Sequence, residues 1–353
     1  MTLLNSMIKY IKYTNPLVVY ALAFLSFTST GLWCWMTLIF TWVAVPLVEL
    51  LIKPDSANMS TAEAEVAKND GAYDLLLYLI VVLQIPTLIF FLFAMQNDGL
   101  STPTIFARIF TMGLLCGTFG INVGHELGHR NSKFEQNLAK LSLLSSLYMH
   151  FFVEHNKGHH KNVATYNDPS SARLNEPVYL FYFRTIINSY RSAWHIANQE
   201  VLKKGKSKLS LSNEMVQMHF IQLVFVALIY LIFGGLITLY FLAAAFIGIL
   251  LLETVNYIEH YGLQRKQLAS GGFERTLPQH SWNSNHVLGR MLLFELSRHS
   301  DHHYLASKKY QVLSHHEQSP QLPTGYPGSM VLALMPPLWF SVMNKKIVEL
   351  REG

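Results

Sequence analysis

Cysteine is almost missing from this chain. Only Cys34 and Cys116 occur in 353 residues, and both lie in apolar segments. That excludes a disulfide framework and any Cys-x-x-Cys metal site. It also means that the electrons of any redox reaction must come from another protein. Charge is scarce as well: Asp, Glu, Lys and Arg make up 14% of the residues against 51% hydrophobic, too little for a soluble protein. Residues 15–48 hold no charged side chain at all. No repeat of solenoid period and no low-complexity tract is visible. Lys9 and Lys12 stand before an apolar run, like the start of a signal peptide, but no small-residue cleavage site is clear. Since a second apolar run follows at once, a retained anchor is expected.

The apolar runs predict an all-α integral membrane fold with six transmembrane helices, built as a single domain over 1–353. A span needs about 20 apolar residues. Residues 15–48 are long enough for two, and Thr28-Ser29-Thr30-Gly31 breaks them, which gives a hairpin of 15–30 and 32–52. Further spans are expected at 74–95 and 104–124, and a second hairpin at 216–233 and 236–257 turns at Gly234-Gly235. The patches at 141–152 and 178–187 are too short to cross and should lie at the interface or under a site. The stretch 328–343, interrupted by Pro336-Pro337, reads as interfacial or re-entrant. The turns near 30, 96–103 and 234 contain no Lys or Arg, with Arg108 the one cation close to them. The facing segments, 125–215 and 258–353, carry most of the basic residues and are therefore expected to form a cytosolic helical cap. That predicts a multi-pass protein of a bacterial-type inner membrane with both termini cytoplasmic.

Nine of the sixteen histidines fall in that cap, in four clusters: His125 and His129; His155, His159 and His160; His260; and His299, His302 and His303. His125 and His129 are i and i+4, one face of a helix, and His299, His302 and His303 also share a face. His159 and His160 point apart, so their cluster can serve two ions. Nine imidazoles are too many for one ion and enough for two, which predicts a polyhistidine dimetal site. Imidazole suits Fe, Zn, Cu and Ni, so the ligand type alone does not name the metal. Glu126, Asp168, Glu259 and Asp301 stand beside the clusters as acceptors for ring N–H groups. His280 and the remaining histidines have no ligand-spaced partner and read as structural.

The motifs His125-Glu-Leu-Gly-His129, His155-Asn-Lys-Gly-His-His160, Asn256-Tyr-Ile-Glu-His-Tyr-Gly-Leu263, His280-Ser-Trp-Asn-Ser284 and Arg298-His-Ser-Asp-His-His303 resemble those of the integral-membrane alkane 1-monooxygenases. These are non-haem diiron ω-hydroxylases within the membrane desaturase/hydroxylase class. The Asn-Tyr-x-Glu-His-Tyr-Gly element separates them from acyl desaturases, which share only the HxxxH and HxxHH boxes. The resemblance covers roughly residues 35–342. It implies two Fe ions held by the nine matching histidines, O2 as co-substrate, and hydroxylation of the terminal methyl group of medium- to long-chain n-alkanes. It implies electrons from rubredoxin and its NAD(P)H-dependent reductase, and no nucleic-acid partner. Tyr304-Leu-Ala-Ser-Lys308 departs from the small, Pro-containing stretch more usual after the last box.

The chemistry fits such a centre. An unactivated methyl C–H bond has neither acidity nor a leaving group, so acid–base side chains cannot break it, whereas a redox metal centre can. No carboxylate bridge from Glu126 or Glu259 is expected. An apolar substrate should enter from lipid and lie among the helices, with Trp42 and Phe119 as candidate channel residues. Trp33 and Trp35 read as interfacial belt residues. The net charge of +5 suits an acidic electron carrier or anionic lipid, and Lys203-Lys204-Gly205-Lys206-Ser207-Lys208 is a candidate docking loop. Competing readings are a methyl hydroxylase of alkylaromatics resembling xylene monooxygenase, an acyl-lipid desaturase, and a histidine-rich metal transporter. The transporter requires ionisable residues at mid-span, and the inferred spans hold almost none.

Overall fold

A computed structural model describes residues 10–352 of the chain; Lys9, part of the basic start, lies outside them. Within the described residues the fold is helical, with two isolated bridges in place of any strand. Apolar helices come in pairs. α1 (Pro16–Thr28) is followed by α2 (Gly31–Leu51), then the short α3 (Thr61–Lys68). α4 (Gly71–Ala94) is followed by α5 (Thr102–Gly128). The cap begins with α6 (Lys133–Leu144), a helical segment at 151–162 numbered α7, and α8 (Val178–Lys203). α9 (Glu214–His260) is the long apolar element, and α10 (Val287–Leu292), α11 (His299–Tyr304), α12 (Tyr326–Ala333) and α13 (Pro336–Glu352) complete the chain.

Four helices, α2, α4, α5 and α9, are long and apolar enough to cross a membrane. α9 has 47 residues but is not one rod: Gly234 takes φ 81° and ψ 173°, a conformation that is essentially glycine-only. The rings of Phe225 and Phe241 lie 5.7 Å apart, although sixteen residues of straight helix would separate them by about 24 Å. The arms therefore fold back on each other at Gly234. α1 has 13 residues, about 20 Å of helix, shorter than the span expected at 15–30. A 3-10 turn at Lys12–Thr14 leads into it and lengthens the helical path.

The three turns gather at one end of the molecule. Arg108 donates to Ala94 O at 2.8 Å and Ser29 O at 3.1 Å, tying the first two turns together. The Phe93 ring lies 5.0 Å from that of Phe233, which adds the third. The cation that stood apart from the charge pattern thus satisfies carbonyls that helix ends leave open. α5 runs through the middle and is mostly buried. It approaches α9 so closely that a Cβ at Gly117 would fall 2.9 Å from Gly248 O. The cap closes the other end. α8 continues well past the short patch expected at 178–187, because Val178, Phe181, Thr185, Ser189, Ala193, Ala197 and Val201 make one buried stripe at helical spacing. Its opposite edge leaves Tyr179, Leu180, Phe183 and Ile187 exposed. The stretch around Pro336-Pro337 forms two helices that meet there, with Trp339, Met343 and Ile347 buried beneath the site.

Gly234→Val should cost about 1–3 kcal/mol through the backbone alone, lowering the midpoint of thermal unfolding in detergent. Gly235→Ala, whose Cβ would meet only ordinary contact with Tyr230, should leave that midpoint unchanged.

Candidate metal centre

The last turns of α5 place His125 and His129 one above the other, and the ridge at 151–162 faces them. There the backbone is not a regular α-helix: His155–His159 is a π turn, in which residues five apart align. His155 and His160 therefore meet, with Nε2 atoms 3.0 Å apart, and His159 is rotated away to a second group. α11 divides likewise. His302 joins the first group, and His299 and His303 join the second, so the three do not serve one ion together as a shared face suggests.

The first group is a closed ring of five Nε2 atoms. Going round, His125–His129 is 3.2 Å, His129–His155 3.1 Å, His155–His160 3.0 Å, His160–His302 3.1 Å and His302–His125 2.9 Å. The second holds His159, His260, His299 and His303, with donor atoms all within 4.8 Å of one another. There His159–His303 and His260–His299 are each 3.2 Å. The groups touch, the His160 and His303 rings lying 4.5 Å apart.

Hydrogen bonding cannot account for the ring. A neutral Nε2 carries either one proton or one lone pair, so five such atoms each touching two others leave most contacts unsatisfied. One cation satisfies all five lone pairs. Metal–imidazole bonds of about 2.0–2.1 Å put ligands at right angles about 2.8–3.0 Å apart, close to the spacing observed. Burial first, and then the neighbouring imidazoles, hold His129, His155, His160, His299 and His303 well below the usual histidine range. Burial likewise pushes His302 down to about 3. These rings are neutral at pH 7, as ligation requires. His159 is the exception: burial opposes its charge, but Asp168 overcomes that and raises it.

Asp168 Oδ2 lies 2.9 Å from His159 Nδ1 and also accepts from Ser171 Oγ at 2.6 Å, so it orients the His159 ring. Glu126 and Asp301 face elsewhere. Glu126 accepts from Arg130 and from Tyr310 N, and Asp301 from Lys308, Ser314 N and His316. They fix the loops around the site. Glu259 differs again: its Oε2 is 3.1 Å from His299 Nε2, the ring atom that also faces His260 Nε2. His280 accepts from Leu277 N and holds a turn, outside both groups.

α11 is held in place by buried charge. Phe294 and Glu295 have φ of 51° and 57°, conformations costly for residues with side chains. Glu295 is locked by Arg290 Nε at 2.6 Å and Tyr13 OH at 2.7 Å. Arg298 donates to Leu313 O and Ala57 O, each at 2.8 Å. None of these partners has a motif spacing, and no signal in the sequence pointed to them.

An apolar chamber reaches the histidines from the bundle. Its walls include Trp42, Leu114, Phe119 and Leu251, and it ends at His125, His155 and His299, with Asn122, Asn256 and Glu259 beside them. Trp42 and Phe119 both lie on π turns, Phe40–Ala44 and Cys116–Ile121. A second, almost wholly apolar cavity lies sideways between α2, α5, α8 and α9, and shares Trp42, Leu114, Leu251 and Met330 with the chamber. Trp33 is exposed at a turn, while Trp35 lines the lateral cavity.

The fatty acid desaturase family profile matches residues 101–327. Alkane 1-monooxygenase 2 of Alcanivorax borkumensis is 39% identical over 91% of this chain and 84% of its own length. Alkane 1-monooxygenase 1 of the same organism is 36% identical over 95% and 83%. The chain belongs to the alkane 1-monooxygenases, within the fatty acid desaturase family. The hydroxylase component of xylene/toluene monooxygenase from Pseudomonas putida is 26% identical over 93% of the chain and 86% of its own. In this alkane 1-monooxygenase family member the structure gathers all nine clustered histidines into two adjacent groups.

Asp168→Asn should weaken metal retention about 10–100-fold, the usual effect of losing a carboxylate behind a ligand histidine, read by metal content after dialysis against chelator. Acid should release metal too. The unfolded chain's histidines take up protons near pH 6.5, whereas the buried ones take them up far lower. Stability of the site is therefore fully present above pH 6.5 and declines as pH falls from there towards the lowered values of the buried rings, so metal content should hold at pH 7 and be lost on acidification.

Proposed function

We propose that this protein hydroxylates the terminal methyl group of medium- to long-chain n-alkanes to primary alcohols. It would use O2 and two electrons from rubredoxin, itself reduced by an NAD(P)H-dependent reductase, at a diiron centre. One observation carries the reading: an apolar chamber that ends on the imidazole cage and adjoins a second, almost wholly apolar cavity between α2, α5, α8 and α9. The overall reaction joins one oxygen atom to carbon and sends the other to water, and so consumes two protons with the two electrons. Two irons, when bound, would supply the O2 activation and C–H cleavage that side chains cannot. His125, His129, His155, His160 and His302 would hold one, and His159, His260, His299 and His303 the other.

The chain's own residues do the rest. Leu114, Phe119 and Leu251 exclude water from the reacting end. Trp42 stands where the two cavities meet, so its indole sets how far a long chain can lie back from the metals. Asp168 keeps His159 in one tautomer. We place all six apolar arms across a bacterial-type inner membrane with the cap and metals cytoplasmic, a reading supported by the position of the cations. His129 and His160 are the ring members of intermediate exposure, and they form the edge where an electron carrier gains closest approach. The exposed Lys203-Lys204-Gly205-Lys206-Ser207-Lys208 loop remains a candidate docking surface.

The xylene/toluene relative, at 26% identity, makes the methyl group of an alkylaromatic the second reading. Whole-cell product analysis on octane, hexadecane and xylene separates the two, and an olefin product would mean desaturation instead. His125→Ala, His160→Ala or His303→Ala should each abolish turnover with the protein still inserted; full activity in any one removes that residue from the ligand set. Purified protein should hold about two irons per chain, and zinc without oxygen consumption would defeat the proposal. Trp42→Ala should shift the substrate optimum towards longer alkanes, measured as relative alcohol yield across a chain-length series.

A further inference from the structure

We propose that Tyr326 is a positioning residue for Glu259, and that the pair completes the four-histidine site with a fifth, oxygen donor. The inference rests on the dimetal reading above. The two groups are unequal, five nitrogens against four. The gap on the smaller one is where Glu259 points. Its Oε2 stands 3.1 Å from His299 Nε2, the spacing that neighbouring imidazole donors keep in both groups.

Glu259 is 1% exposed. Among the described residues its side chain meets no Lys or Arg; its polar partners are His299 and the Tyr326 hydroxyl, 2.8 Å from Oε1.

Tyr326 is itself fully buried, and a buried phenol needs a partner for its proton. Its place does not depend on the metal. Ser329 N donates to Gly325 O at 2.9 Å, and a Cβ at Gly325 would fall on the Glu49 carboxylate, so the backbone before Tyr326 is wedged against α2. With Oε1 taken by the phenol, Glu259 has one free oxygen and meets an ion end-on. That leaves the side of the second site towards the apolar chamber open, where Glu259 and His299 form part of the wall.

The test is Mössbauer spectroscopy of reduced, 57Fe-loaded protein: wild type, Tyr326→Phe, Glu259→Gln and the double variant, with iron counted in each. Wild type should show two components of equal area. Tyr326→Phe should move one and leave the other, Glu259→Gln should move that same one, and the double variant should move it no further than Glu259→Gln alone. A Tyr326→Phe spectrum superimposable on wild type, or a shift that adds to that of Glu259→Gln, overturns the proposal. If Tyr326→Phe is not recovered from membranes, Glu259→Gln decides: it still offers the phenol an acceptor, one moved component supports the proposal, and none overturns it. Wild type holding fewer than two irons would defeat the dimetal reading itself, a different result.

Discussion

Nine ring nitrogens that cannot satisfy one another are held within contact distance, and the rest of the molecule exists to keep them there. Each Nε2 has a single proton or a single lone pair, so the five-membered ring of His125, His129, His155, His160 and His302 is frustrated without a cation. Low dielectric makes the frustration worse, because burial removes the water that would otherwise solvate the spare lone pairs. Neutral imidazoles at such spacing are a site built for ions.

The backbone reaches this arrangement by departing from regular helix where it matters. The π turn at His155–His159 sends His160 to one group and His159 to the other. Two further π turns, at Phe40–Ala44 and Cys116–Ile121, carry Trp42 and Phe119 into the chamber. Before α11, Phe294 and Glu295 accept left-handed conformations, and the ion pairs of Glu295 with Arg290 and Lys12 hold them. Such local costs persist only when surrounding structure over-determines them. Here the α5–α9 contact through Gly117 and Gly248 and the buried stripe of α8 provide that surrounding structure.

Polarity changes abruptly at the end of the chamber. Leu114, Phe119 and Leu251 give way within one cavity to Asn122, Asn256 and Glu259, and then to His125, His155 and His299. A hydrocarbon can lie against the first set with one end at the last. Terminal selectivity then needs no recognition of a functional group, which an alkane does not have. The nearby cavity between α2, α5, α8 and α9 is almost wholly apolar and shares Trp42, Leu114, Leu251 and Met330 with the chamber.

Much of this was legible in the chain. Apolar run lengths located the long helices, the Gly234-Gly235 pair located the break in α9, and the histidine spacings located the segments that converge, because each is a local property of the chain. Asp168 as the partner of His159 was also within reach of local reading. Other roles were not. Glu126 and Asp301 sit inside the motifs yet bind loops, while Tyr326, far from every box, meets Glu259. The sequence by itself determined the helical, apolar character of the chain and singled out the nine histidines, because run length and residue spacing are local properties. Only the tertiary structure decided which histidine belongs to which group and which carboxylate stands among the imidazoles, because π turns and buried ion pairs rotate side chains by amounts that no linear spacing encodes.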